Sequence, residues 1–133
     1  MLGLLDRFRK KKKEEEETEV ETISELEQLC GDDKETYEAL FNIIFLDPRK
    51  IEASVKEAAK KARNFEKSKD SLRAKLWYQI AGGLAIYKGD VENVKKYFSK
   101  CEELAPGTKY SILKNPEKAV AKAQEYYKKY LKD

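Results

Sequence analysis

The sequence predicts an all-α fold in one domain, and three observations carry that expectation. Apolar residues recur at helical spacing in one block after another, as at Trp77, Ile80, Ala81 and Leu84. No stretch alternates apolar and polar residues in the manner of a half-buried strand, and no Asn-Gly hairpin turn occurs. Between the periodic blocks stand helix starts and stops: Thr22-Ile23-Ser24-Glu25, Gly31, Gly89-Asp90 and Asn115-Pro116. A chain of 133 residues is long enough for one such domain with a real core.

The elements follow in order. Residues 1–21 read as an amphipathic segment and a charged linker. A short helix there puts Met1, Leu4, Leu5 and Phe8 on one side with Leu2 at its edge, and Gly3, Asp6, Arg7 and Lys10 opposite. This resembles the short amphipathic anchors of peripheral membrane proteins. Leu2, Leu4, Leu5 and Phe8 would enter the interface, and Arg7, Arg9 and Lys10–Lys13 would meet anionic head groups. Burial of the four apolar side chains, at ~1.5–3 kcal/mol each, is largely offset by ordering about ten residues. Binding of this kind is reversible. The other reading is a charged tail with a chance apolar start. The Lys10–Glu17 block suits a flexible, partly helical linker.

The helical domain is expected over 22–133. The capping box at Thr22–Glu25 opens a short helix with Ile23, Leu26, Leu29 and Cys30 on one side, and Gly31 stops it. Asp32 with Glu35 reads as a second capping box. A first helical hairpin is expected at 33–67, with Tyr37, Leu40, Phe41 and Ile44 on one helix and Val55, Ala59, Ala62 and Phe65 on the other. Asp47-Pro48 would cap and start the second helix. A second hairpin is expected at 71–105. Its stripes are Trp77, Ile80, Ala81, Leu84 and then Val94, Phe98, Cys101, Leu104, joined through Gly89-Asp90 and ended by Pro106. Trp77 is expected between the two helices of its hairpin. The link to Asn115 has room for a turn at Tyr110–Leu113. A last helix runs from Asn115-Pro116 to about Leu131, with Val120, Ala123, Tyr127, Tyr130 and Leu131 on its apolar face.

The order W-x2-I-A-x2-L, then Gly-Asp, then V-x3-F-x2-C and a terminal Pro resembles the tetratricopeptide repeat. The two hairpins share their stripe spacing at an offset of about forty positions. The resemblance implies two hairpins in a right-handed stack, flanked by the short N-terminal helix and a C-terminal capping helix. It implies a non-catalytic adaptor that holds a peptide or partner helix in a groove lined by the first helix of a hairpin. By position that groove is Lys75, Tyr78, Gly82 and Ala85. Gly82 leaves the helix backbone open to close approach, by a ligand or by a neighbouring helix. The family's carboxylate clamp for chaperone tails is absent, because Tyr78, Gln79 and Gly82 stand where it needs Lys and Asn.

Composition narrows the remaining classes. Charged residues make up 40% of the chain, mostly Lys and Glu, with no His. That is the profile of hyperthermophile proteins, archaeal ones included, where ion-pair networks lose less to desolvation. Without His there is no ready general base or metal ligand, and the two cysteines cannot hold zinc alone. No enzyme, cofactor or metal is expected. Cys30 and Cys101 read as small core residues, with a disulfide as the alternative. Residues 22–47 carry a net charge of −6 and residues 48–133 a net of +10. The alternative function is therefore single-stranded nucleic-acid binding through Lys118, Lys122 and Lys129 on one helix face, with Tyr126 at its margin for stacking. Most of these bases are Lys, so a protein partner is the stronger expectation. Self-association is also compatible with so small a groove. The expected location is the cytoplasm, with the N-terminus offering peripheral attachment to a membrane face.

Overall fold

The structure, a computed structural model, describes residues 25–41, 43 and 50–131. The amphipathic segment and its linker lie outside the described residues, as do Thr22–Ser24 and Asp47-Pro48. The fold is all-α, and no strand occurs among the described residues. A helical stretch at 25–30 is followed by α1 (Lys34–Phe41), α2 (Val55–Lys67), α3 (Ser71–Lys88), α4 (Val91–Leu104), a 3-10 turn (Ser111–Lys114) and α5 (Pro116–Tyr130).

The punctuation explains most of these boundaries. Gly31 ends the first stretch at φ +57°, a left-handed value that suits glycine. The cap of α1 is Asp33, one position later than the sequence suggests: its carboxylate accepts Thr36 N–H at 3.2 Å and the Thr36 hydroxyl at 2.7 Å. Ser54 caps α2 by accepting Glu57 N–H at 3.1 Å, and residues 51–54 are not helical. The helix that carries Ala59, Ala62 and Phe65 therefore begins at Val55, while the expected cap and start at Asp47-Pro48 lie outside the described residues. Gly89 closes α3 at φ +73°, and Asp90 caps α4 by accepting Asn93 N–H. Asn115 caps α5 with Pro116 in its first turn, as expected.

Packing is layered. α3 lies between α2 and α4, antiparallel to each in turn, with α5 against the last turn of α3 and one side of α4. A helix in that position needs apolar character all round, and every residue from Ala81 to Ile86 is buried. Ala58, Ala59 and Ala62 of α2 meet α3 with methyl groups, which lets the two helices come close. On the other side Phe98, Ile86, Leu26, Leu40 and Val120 join in a larger cluster that ties 25–41 to α5.

The second expected hairpin is present as α3–α4. The first is not formed as drawn. α1 packs chiefly on α5 and the 3-10 turn, whereas α2 pairs with α3 through the short Ser68–Asp70 link. The physical reason lies in α1, whose buried residues are Thr36, Ala39 and Leu40. That is too little apolar surface to recruit α2 away from the long apolar α3. Trp77 is also displaced from expectation. It is half-buried on the α2 side of α3, with the Lys61 ammonium 4.4 Å from its ring centre. Cys30 and Cys101 are buried and free, in separate clusters, so the disulfide is not formed.

Candidate partner-binding groove

The groove residues implied by the repeat resemblance are largely interior. Tyr78 is 2% exposed and donates from its hydroxyl to Glu66 Oε1 at 2.7 Å. Burial, and then this carboxylate, push the Tyr78 phenol well above its ordinary range. The same hydrogen bond, with Lys100 at 3.5 Å, holds the Glu66 carboxyl below its usual value. Gly82 is covered by α4: a Cβ built there would stand 2.6 Å from Phe98 Cε2. Ala85 is fully buried. Only Lys75 keeps partial exposure, and its carbonyl accepts the Cys101 thiol at 3.6 Å. The glycine serves the approach of a neighbouring helix, and the concave face drawn from the resemblance is corrected to core.

The Lys/Tyr surface of the alternative reading is not an open stacking platform either. Tyr126 is 3% exposed, with its hydroxyl 3.4 Å from Glu25 Oε2. Lys118 pairs with Asp33 at 2.9 Å, Lys122 with Glu125 at 3.1 Å, and Lys129 lies 5.3 Å from the centre of the Tyr130 ring. The Lys118 ammonium, and next the Thr36 hydroxyl, hold the Asp33 carboxyl at about 2. Burial pushes the Cys101 thiol up to about 12 and raises Cys30 as well, so neither is a ready nucleophile.

An open groove does exist elsewhere, between the last turn of α3 and the outer side of α5. It encloses about 650 Å3. Its apolar floor is Tyr87, Tyr127 and Leu131, and its rim carries Lys88, Gln124, Glu125 and Lys128. The two tyrosine rings meet edge to face, with centroids 5.2 Å apart. Gln124 Nε2 donates to the carbonyls of Ile86 and Tyr87 at 2.6 and 2.8 Å. Both carbonyls lie in the last turn of α3, where Ile86 also accepts the Gly89 N–H at 3.0 Å, so the amide ties the groove walls together. Lys88 sits at the same helix end, where a cation is favoured. Tyr87 is 38% exposed, in keeping with a wall that offers an aromatic edge.

Sequence reasoning passed over this groove because Tyr87 lies off the stripe that defined the first helix. The available signal was the run Ala85–Tyr87, apolar on the wrong side for the repeat and followed by Lys88 and the Gly89-Asp90 turn. No helix among the described residues is long and apolar enough to cross a membrane, and none of their acidic or cysteine side chains gather into a metal-holding group. Comparisons with protein-family models, with curated proteins and with solved structures find no match to this chain. The class defined by the structure is an all-α helical protein.

Proposed function

We propose that this chain is a non-catalytic adaptor that takes a segment of a protein partner into the Tyr87–Tyr127 groove. In the same reading its N-terminal segment attaches it reversibly to an anionic membrane face in the cytoplasm. The carrying observation is the groove itself, an aromatic floor between lysines at a helix end whose carbonyls are already satisfied. Such a site suits a short segment with one bulky apolar side chain and a nearby carboxylate. The sequence resemblance to helical-repeat adaptors supports the same class of work, although the groove lies elsewhere.

The test is capture from native lysate by the full chain, compared with Tyr87→Asp and with Lys88→Glu/Lys128→Glu. Partners held by the wild type should be lost by both variants while helix content is unchanged. Equal capture by all three proteins would remove the groove from the reading. The membrane part is checked by co-sedimentation of Leu5→Asp/Phe8→Asp with anionic vesicles, where binding should fall sharply.

A further inference from the structure

We propose that the corner formed by α2, the Ser68–Asp70 turn and the first two turns of α3 is a docking face for an anionic lipid bilayer. Leu72 is 80% exposed and Leu76 52% exposed, one helical turn apart on the side of α3 that faces neither α2 nor α4. They are the two most exposed large apolar side chains among the described residues. Exposed leucines on adjacent turns form a ridge with no partner among the described residues.

The charge around the ridge is one-sided. Lys67 and Lys69 flank the turn and Arg73 follows Leu72; all three are exposed. Among the described residues, Lys67 and Lys69 make no ion pair, in contrast to Lys95, Lys118 and Lys122 on α4 and α5, each of which has an acidic partner. The nearby acids are turned to internal work. Glu66 accepts from Tyr78 and Lys100, and Asp70 caps α3 and pairs with Arg73 at 3.6 Å. The corner therefore presents unneutralised cations around two exposed leucines.

This pairing selects among polyanions. At a bilayer the leucines leave water for the acyl boundary while the ammonium groups stay with the lipid phosphates, so both parts of the face gain. A phosphodiester backbone gives the leucines nothing, and the aromatic rings close by are covered by cations: Trp77 is half-buried beneath Lys61, and Phe65 is half-buried with the Arg73 guanidinium 5.7 Å from its ring centre. The proposal deepens the membrane part of the proposed function, but it rests on a surface separate from the N-terminal segment.

The experiment is flotation of the full chain with vesicles of phosphatidylcholine alone and of phosphatidylcholine with phosphatidylserine. Leu72→Gln/Leu76→Gln keeps good helix formers at exposed sites and should retain the circular dichroism of the wild type. Its affinity for the serine-containing vesicles should fall at least about tenfold. Lys67→Glu/Lys69→Glu should lose a comparable factor on those vesicles and little on neutral ones, and added salt should mimic it. Wild-type binding by the leucine variant overturns the proposal. Leu5→Asp/Phe8→Asp is run beside it. If that variant floats like the wild type while the corner variants do not, the N-terminal anchor fails and the corner stands. If it alone abolishes all binding, the anchor stands and the corner is refuted. A labelled single-stranded oligonucleotide that binds wild type and leucine variant equally tightly, and strips both from vesicles, assigns the cations to nucleic acid and overturns the proposal as well.

Discussion

The two sides of α3 are held by different chemistry. Toward α2 the contact is built from Ala58, Ala59, Ala62 and Ala81, with Tyr78 and Tyr97 stacked 6.1 Å apart at its edge. Toward α4 and α5 it is built from Ile86, Phe98, Val120 and Tyr127, with Leu26 and Leu40 behind them. At ~0.8 kcal/mol per methyl-sized group, the three alanines of α2 contribute about 2 kcal/mol, whereas Leu26, Leu40 and Phe98 contribute roughly 1.5–3 kcal/mol each. Small residues give close approach and large ones give depth. The difference assigns tasks: the α4–α5 side fixes the fold, and α2 is a thin cationic layer applied to it.

The largest break of this contrast is Phe98→Ala. The side chain is fully buried, covers Gly82 and lies 5.3 Å from the Tyr110 ring. Its loss should cost ~3–5 kcal/mol in urea or thermal unfolding and lower the whole transition. Gly82→Ala comes next. Its new methyl has no room against the Phe98 ring, so overpacking of ~1–3 kcal/mol should outweigh the gain of up to ~1 kcal/mol in helix propensity. A more stable variant would mean that α4 slides outward at little cost. Ser54→Ala sharpens the comparison from the weak side. Losing that cap should cost about 1 kcal/mol, and hydrogen exchange should quicken in α2 while α4 and α5 stay protected.

The smallest effect is the pH response of the Asp33–Lys118 pair, which bridges α1 to α5. The carboxyl ordinarily titrates near 3.8 and is held at about 2 in the fold. The pairing therefore contributes fully above the ordinary value and is lost as pH falls through about 2. An NMR titration of Asp33 should place its midpoint near 2, and Lys118→Met should move it back toward the ordinary value. No movement would show that Thr36 alone sets the shift.

Much of the fold was legible in the sequence because chain punctuation is local. Gly89-Asp90, Asn115-Pro116 and the turn at Tyr110–Leu113 act through dihedral angles and caps within a few residues, and they stand where the sequence puts them. Neighbour choice is not local. Trp77, Ile80, Ala81 and Leu84 do form a buried or half-buried stripe, but it shares one cluster with Ala58, Ala59 and Ala62 of α2 as well as with Tyr97, Cys101 and Leu104 of α4. A helix with two apolar faces reads as one stripe plus spare residues, and the spare ones, Tyr78, Gly82 and Ala85, were assigned to a ligand. Asp32 and Asp33 compete for one cap, and only the second brings Thr36 into reach of its carboxylate. The groove at Tyr87 required knowing that α5 returns to the end of α3, a contact made 37 positions away.

The hydrogen bond from Tyr126 to Glu25 joins residues 101 positions apart. On a ribosome working at ~5–20 residues per second, the early helices emerge about 5–20 s before the one they rest on. Consecutive helices from α2 to α4 can assemble during that interval, since their contacts are near in sequence. Leu26 and Leu40 cannot, and they must wait in water or against a holding factor. Nascent chains stalled before Pro116 should therefore be cut by protease near Leu26 and Leu40 but spared within α3, and full release should erase the difference.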